Sequence, residues 1–149
     1  MTKLNIVLFE PEIPQNTGNI ARLCACCDAS LYLVGKLGFS LSSKYTKRAG
    51  MDYWESVDLH KVESLDELIE ANQGSNFYFL TTKTQRKYSD VSFKENDFIV
   101  FGPESRGLAE KYVTSDGAIT IPMKTGQRSL NLSNSVAIVA YEIIRQIGL

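Results

Sequence analysis

The chain has 149 residues and a formal net charge of −1, which is enough for one domain with a buried core and too little for two ordinary domains. A near-neutral charge excludes general electrostatic attraction to nucleic acid, so an RNA partner needs a local basic patch or one that a dimer assembles. Apolar runs are too short to span a membrane, and the N-terminal run lacks the small-residue cleavage site of a signal peptide. We therefore expect a cytoplasmic protein with no membrane partner.

Short apolar runs alternate with helical segments along the chain. The predicted strands are 4–9, 30–34, 76–82, 98–101 and 118–121. The predicted helices are 20–27, 65–71, a short one within 104–113, and 132–147. Asn16 or Thr17 is expected to cap the first helix, and Ser64 with Glu67 forms a capping box before the second. This alternation indicates one α/β domain over 1–149, with a largely parallel sheet flanked by helices.

Two further segments are assigned by composition. The stretch 36–60 is mixed, with a basic, helix-like piece at 44–48. The three cysteines, Cys24, Cys26 and Cys27, supply neither two Cys-x-x-Cys pairs nor the four ligands of a zinc site, and an odd cluster is not a disulfide framework. We expect them to be small apolar fillers on a packed helix, and we expect no metal.

Polar segments, three of the four with a glycine, follow several predicted strands, at the strand ends where α/β folds bind ligands. They are 14–19, 81–84, 102–107 and 122–129. In the third, Gly102 and Gly107 bracket an acid, a hydroxyl and a cation. The fourth runs into the polar residues Asn131, Ser133, Asn134 and Ser135. A helix cap needs one such residue, so the surplus indicates a loop that binds something.

The familiar catalytic signatures are missing from the sequence. No Gly-x-Gly-x-x-Gly follows the first strand, and there is no Gly-Lys-Ser/Thr phosphate loop or Gly-x-Ser-x-Gly elbow. The single His60 lies in a featureless polar stretch, which favours a surface residue over a catalytic base. Glu10, Glu12 and Glu104 are candidate carboxylates, but their spacing singles out none of them.

Three ordered segments resemble the motifs of the SPOUT RNA methyltransferases, in particular the SpoU/TrmH branch that methylates ribose 2′-hydroxyls. They are Asn16-x-Gly-Asn-x-x-Arg22, Phe101-Gly-Pro-Glu-Ser-Arg-Gly-Leu108, and Ile121-Pro-Met followed by Ser129-Leu-Asn-Leu-Ser-Asn-Ser-Val136. Three further segments narrow the resemblance to small enzymes that methylate the wobble nucleotide of leucine tRNAs. They are 8–19, Arg48-Ala-Gly-Met-Asp-Tyr53 and Leu80-Thr-Thr-Lys83. The likeness covers nearly the whole chain.

The resemblance implies a deep trefoil knot in the C-terminal third, where the periodicity alone favours an unknotted, doubly wound sheet. It also implies S-adenosylmethionine as the methyl donor, bound largely through backbone groups. The implied donor-binding residues are Leu80, Thr81, Gly102, Glu104, Ile121, Met123, Ser129 and Leu130. Apolar members such as Ile121 and Leu130 suit the faces of an adenine, although ordinary core packing is an alternative for both.

The implied reaction is attack of a ribose 2′-oxygen on the sulfonium methyl group. The implied catalytic residues are Arg22, Asn19, Ser133 and Asn134. A guanidinium stays protonated, so we expect Arg22 to hold an RNA phosphate or the developing alkoxide while another group takes the proton. A solvated helix charge remains the alternative for Arg22, and capping remains the alternative for the other three. Glu104 and Arg106 either pair with each other, or Glu104 organises the pocket while Arg106 reaches RNA.

The implied partners are a tRNA anticodon stem-loop and a second copy of the chain. Candidate RNA-binding cations are Lys44, Lys47, Arg48, Lys83, Arg86, Lys87, Lys124 and Arg128. Candidate stacking residues for an unpaired base are Tyr45, Tyr53, Trp54 and Tyr88. The last helix is apolar almost all round, so it is buried in a core or in a homodimer in which one subunit positions RNA for the other's pocket.

The predicted function is therefore S-adenosylmethionine-dependent 2′-O-methylation of cytidine or uridine at the tRNA wobble position. Two alternatives stay open: a non-catalytic RNA-binding relative with the same fold, and a small nucleotide-binding α/β enzyme outside RNA biology. The presence of Arg22 with the other motifs argues against the first.

Overall fold

The computed structural model describes residues 4–41 and 54–149. Its strands are β1 Leu4–Phe9, β2 Ala29–Val34, β3 Asp58–Val62, β4 Phe77–Leu80, β5 Asp97–Phe101 and β6 Ala118–Ile119. Its helices are α1 Pro14–Cys27, α2 Leu65–Ala71, α3 Glu110–Val113 and α4 Leu132–Ile147, with short 3₁₀ turns at Trp54–Ser56 and Tyr88–Asp90. Within these ranges the strands form one parallel sheet in the order β3-β2-β1-β5-β4-β6.

Helices cover both faces of this sheet, as the buried strands of a parallel sheet require. Along β1, Ile6 and Leu8 join a core that includes residues of α1 and α4. Val7, which points to the opposite face, joins a second core that includes residues of α2 and the segment around α3. The predicted α/β architecture with a parallel sheet is confirmed. The trefoil knot and the assignment of 1–149 to one domain stay predictions.

Helix α1 begins at Pro14, upstream of the predicted start at residue 20. Proline suits the first turn of a helix because its missing N–H has no partner there. The predicted cap was wrong: Ile13 is the N-cap residue without a side-chain hydrogen bond, and Asn16 and Thr17 lie buried within the helix. Asn19 is likewise interior to α1, so capping is excluded for it.

The other elements follow the predicted order, but β4 ends at Leu80 and β6 at Ile119, each two residues earlier than predicted. Ser64 Oγ accepts a hydrogen bond from the Glu67 N–H at 3.1 Å, as the capping box predicts. The helix predicted within 104–113 is confined to Glu110–Val113. Strand β3 begins within the stretch 36–60, for which composition predicts no single element. The sequence does not reveal this strand because it lies at the sheet edge and none of its side chains is fully buried. The basic piece at 44–48 lies outside the described residues.

Helix α4 has the predicted bounds and buries one side. Val136, Val139 and Ile143 are fully buried in the core, and α4 packs on α1 and β1. Ile138 and Tyr141 are 36% and 48% exposed, so within one chain the helix is not covered all round. In the part of the chain that is described, no helix combines the length and apolarity needed to cross a bilayer.

Candidate functional site

A cavity of about 600 Å³ opens at the carboxyl ends of β4, β5 and β6. Its walls come from the segments 80–83 after β4, 101–108 in and after β5, and parts of 120–135 after β6, with Ile13 and Asn16 at the start of α1. Its volume lies in the range of small-molecule and cofactor sites. The edge of the sheet at which α/β folds bind ligands is therefore hollow in this protein.

All eight residues predicted to bind the methyl donor line this cavity. They are Leu80, Thr81, Gly102, Glu104, Ile121, Met123, Ser129 and Leu130. Leu130 is 38% exposed, which excludes ordinary core packing for it, whereas Ile121 is half-buried and also packs against the main core. The structure thus brings together three sequence-distant segments; that they bind a methyl donor stays a prediction.

The 102–107 loop folds tightly back on itself. The Gly107 N–H donates to the Pro103 carbonyl at 3.0 Å, and Gly107 has a φ of +71°, a conformation that glycine adopts without steric cost. A Cβ on Gly102 would lie 2.5 Å from the Gly107 carbonyl carbon and 2.6 Å from the Leu108 nitrogen. The two glycines therefore permit a compact loop whose residues line the cavity.

Glu104 connects this loop to the start of α1. Its Oε1 accepts from the Glu12 N–H at 2.8 Å, and its Oε2 accepts from the Ile13 N–H at 3.0 Å and from Asn16 Nδ2 at 3.1 Å. The predicted pairing of Glu104 with Arg106 is therefore not formed. Of the two predictions for Glu104, the organising role fits its contacts, because the carboxylate ties α1 to the cavity wall.

Some cations in this region contact other groups of the protein, and others are exposed at the cavity. Arg106 lines the cavity, and its Nη2 lies 2.6 Å from Glu10 Oε1. Arg86 Nη1 donates to the Asp116 carbonyl at 2.8 Å, which gives this predicted RNA-binding residue a structural contact. Lys83 and Arg128 are exposed and line the cavity. RNA binding by these side chains stays a prediction.

The predicted catalytic residues are not among the cavity-lining residues in the described part of the chain. Asn19 and Arg22 are exposed on α1, and Ser133 and Asn134 lie in the first turn of α4. The cap of α4 is Asn131, whose Oδ1 accepts from the Ser133 N–H at 2.9 Å and the Asn134 N–H at 3.4 Å. Ser133 and Asn134 therefore follow the N-cap position and do not occupy it. The alternative in which one of them is the N-cap residue was wrong.

The long-range contacts between the segment after β1 and the loop after β5 were not predicted from the sequence, and the pair Glu12–Ser105 is one example. The Ser105 N–H donates to Glu12 Oε1 at 2.8 Å, and Ser105 Oγ donates to Glu12 Oε2 at 2.9 Å. Glu12 was noted as a candidate carboxylate and Ser105 as part of a polar loop, but nothing in a separation of 93 residues joins them. The pairing of parallel strands β1 and β5 brings the two segments together.

Cysteine and histidine side chains lie outside this cavity. Cys24 and Cys27 are buried as predicted, and burial raises the pKa of both thiols, that of Cys27 to about 11. Cys26 is exposed, so the filler interpretation was wrong for it. His60 is a partly exposed residue, with Nε2 3.1 Å from Asp58 Oδ2 and its ring stacked on Tyr32. Among the described residues no cluster of His, Cys, Asp or Glu could hold a metal ion.

The chain belongs to the SpoU rRNA methylase family, whose model matches residues 3–141. The predicted family resemblance is thereby confirmed.

Individual relatives support the same assignment. The tRNA (cytidine(34)-2′-O)-methyltransferase of Methylovorus glucosotrophus is 47% identical over 145 residues, which cover 95% of this chain and 94% of that protein. A solved structure described as giving insights into 2-OH methylation of cytidine or uridine 34 on tRNA is 43% identical, with a TM-score of 0.90 and coverage of 97% and 95%. The SpoU methyltransferase AviRb of Streptomyces viridochromogenes, solved in complex with AdoMet, shares the fold at 24% identity, a TM-score of 0.83 and coverage of 97% and 60%.

Proposed function

We propose that this protein transfers the methyl group of S-adenosylmethionine to the ribose 2′-hydroxyl of the wobble nucleotide, cytidine or uridine, in leucine tRNAs. One observation carries the proposal: all eight predicted donor-binding residues line one cavity in a chain 47% identical to a tRNA (cytidine(34)-2′-O)-methyltransferase. Fold likeness by itself would not assign an activity.

The residues of the cavity fit such a donor. The half-buried Ile121 and Met123 and the exposed Leu130 offer apolar walls for an adenine, and the compact 102–107 loop offers backbone donors and acceptors. S-adenosylmethionine supplies an activated methyl group on a sulfonium. In the proposed reaction the ribose 2′-oxygen forms a bond to the methyl carbon, the carbon–sulfur bond breaks, and the neutral thioether leaves. The protein aligns the two reactants and helps remove the hydroxyl proton.

The proposed role of Arg22 is to hold an RNA phosphate or the developing alkoxide. A guanidinium is suited to this because it remains charged and presents several N–H donors. Asn19 would position Arg22 or the ribose, and Ser133 and Asn134 would shape the wall before α4. The proton would pass to a phosphate or a neighbouring side chain.

We further propose a homodimer in which Asn19 and Arg22 of one subunit complete the cavity of the other. These two exposed residues are separate from the cavity lining of their own chain. On α4, Ile138 and Tyr141 are exposed apolar or aromatic side chains that a second subunit would cover. Lys83 and Arg128 at the cavity would then meet RNA held partly by the other subunit.

The path of the chain after β6 supports the proposed trefoil knot. The strand β6 lies at one edge of the sheet, yet α4 packs on β1 and α1 near its middle. The intervening segment lines the cavity beside the loops that follow β4 and β5. We propose that this return passes through the loop formed by the preceding strands and their connections.

Calorimetry with S-adenosylmethionine followed by a methyl-transfer assay on leucine tRNA tests the proposal. We expect the wild-type chain to bind the donor and to methylate the wobble ribose, as located by nuclease digestion and mass spectrometry. Arg22→Ala should retain donor binding and lose about 100-fold or more in kcat. Lys111→Ala is the control, since Lys111 is an exposed helix cation that pairs with Asp66 and is outside the cavity lining and the proposed dimer face.

The outcomes separate the alternative functions. Absence of donor binding by the wild-type chain would reject a methyltransferase and favour another nucleotide-binding enzyme. Donor and RNA binding without methyl transfer would favour the non-catalytic relative. Full activity of Arg22→Ala would show that the role assigned to Arg22 is wrong.

A further inference from the structure

Two loops after neighbouring strands exchange hydrogen bonds through their carboxylates. The Glu12 N–H donates to Glu104 Oε1, and the Ser105 N–H donates back to Glu12 Oε1, both at 2.8 Å. Each carboxylate thus accepts a backbone N–H from the other loop, which closes a ring between them. The Ser105 hydroxyl adds a third bond by donating to Glu12 Oε2 at 2.9 Å.

Both oxygens of Glu12 are engaged in this ring. The Ser105 backbone N–H, followed by its hydroxyl, holds the pKa of the Glu12 carboxyl below its usual range. The carboxylate is therefore charged at neutral pH, and hydrogen bonds to a charged acceptor are stronger than those between neutral groups.

The ring joins two parts of the proposed site. Glu104 and Ser105 line the cavity, whereas Glu12 is not among the lining residues in the described part of the chain. Helix α1, which carries Asn19 and Arg22, begins directly after Ile13. The 102–107 loop has an internal bond from Gly107 to Pro103, but that bond fixes its shape and leaves its placement against α1 to contacts with 10–16.

We propose that Glu12 is a positioning residue for methyl transfer, which acts through Ser105 to hold the donor-binding 102–107 loop against the start of α1. This inference rests on the proposed function. We call the two hydrogen bonds from Ser105 to the Glu12 carboxylate the latch. A loop that is already held in its binding conformation costs less to order when the donor binds, so loss of the latch should weaken donor binding first. The affinity for tRNA, which depends on other surfaces, should change much less.

Two single variants remove the latch in different ways. Glu12→Gln removes the charge and one acceptor oxygen, and Ser105→Ala removes the hydroxyl donor while the backbone N–H remains. We expect each to raise the Kd for S-adenosylmethionine about tenfold, the size that loss of a hydrogen bond to a charged group produces. Ser105→Thr keeps a hydroxyl and should restore most of the affinity lost in Ser105→Ala.

Asp66→Asn is the matched control. The Asp66 carboxylate also accepts two side-chain bonds, from Lys111 Nζ and Tyr112 OH, both at 2.6 Å, and it is outside the cavity lining. Calorimetry gives donor affinity, filter binding gives tRNA affinity, and steady-state kinetics separates the KM for donor from the KM for tRNA. Thermal unfolding of each variant reports its global stability.

The latch is supported if both variants lose donor affinity, if the double variant loses less than the product of the two single effects, and if Asp66→Asn binds donor normally. Unchanged donor binding in both variants, or an equal loss in Asp66→Asn, would overturn it. The mild Ser105→Ala change keeps the test decisive if Glu12→Gln fails to fold. Failure of the wild-type chain to bind donor would overturn the proposed function and this inference together, whereas wild-type binding with unchanged variants overturns the inference alone.

Discussion

Gly102 is a cavity residue at which the fold leaves no room for a side chain. The atoms that a Cβ would meet belong to the backbone of Gly107 and Leu108, which close the same loop. Backbone atoms cannot rotate away as a long side chain does, so the loop itself would have to open. The requirement arises from contact across the loop and not from the backbone angles of Gly102, whose φ is not in the left-handed region.

We expect Gly102→Ala to destabilise the fold by about 1–3 kcal/mol, the usual cost of forcing atoms into a packed region. Donor binding should weaken by more than tenfold, because the loop that opens is a wall of the cavity. Urea unfolding and calorimetry measure the two effects. Gly74→Ala is the control, since a Cβ there meets nothing within 4 Å; equal behaviour of the two variants would contradict the steric argument.

At the scale of elements, the start of each long helix is fixed differently. Helix α4 is capped by Asn131, its immediate neighbour in sequence, and the polar residues before it made its start predictable. The start of α1 is held by Glu104, which is 92 residues from Glu12. Local capping signals could not reveal this contact, although Pro14 is itself a residue type that suits the first turn of a helix. Strand β3 was missed for a related reason, since an edge strand with mixed burial lacks the apolar run of β1.

Removal of the local cap gives the prediction that belongs to this scale. Asn131→Ala should lower the free energy of unfolding by about 1 kcal/mol, because the Ser133 and Asn134 N–H groups lose their acceptor. Asn131→Asp keeps an acceptor oxygen next to the positive end of the helix and should retain the stability. Urea unfolding of the three proteins measures the difference. If Asn131→Asp lost as much unfolding free energy as Asn131→Ala, the hydrogen bond of the cap would not be responsible for the stability.

For the whole molecule, the sequence predicted which segments meet at the cavity better than it predicted the catalytic geometry. The residues predicted to bind the donor lie at the carboxyl ends of β4, β5 and β6, and the topology of a parallel sheet brings such segments together. The positions of Asn19 and Arg22 relative to the cavity depend on how α1 and α4 pack and on whether a second chain is present. Neither is encoded in a local pattern, so motif order alone left the catalytic geometry open.

The proposed dimer predicts complementation between two inactive proteins. Light scattering should give twice the mass of the chain, and mixing Arg22→Ala with Gly102→Ala should restore part of the methyl transfer. In a mixed dimer, one cavity has an intact donor loop and receives Arg22 from the other subunit. Each variant alone, assayed at the same total concentration, is the control. No recovery despite subunit exchange would place Arg22 and the cavity of the same chain in one site.

The three cavity walls differ in how firmly they are held. The loop after β5 is fixed to the segment between β1 and α1 through the carboxylates of Glu10, Glu12 and Glu104. The segment after β4 is bonded to β6 through the Thr81 N–H and the Ile119 carbonyl at 2.9 Å. Between 124 and 130 every side chain is exposed, and the bond from the Gln127 N–H to the Lys124 carbonyl closes a turn within the segment itself. Opening the cavity therefore costs least at this wall. In the proposed reaction, the thioether product would therefore exchange for a new molecule of S-adenosylmethionine at this wall, while the 102–107 loop keeps its position.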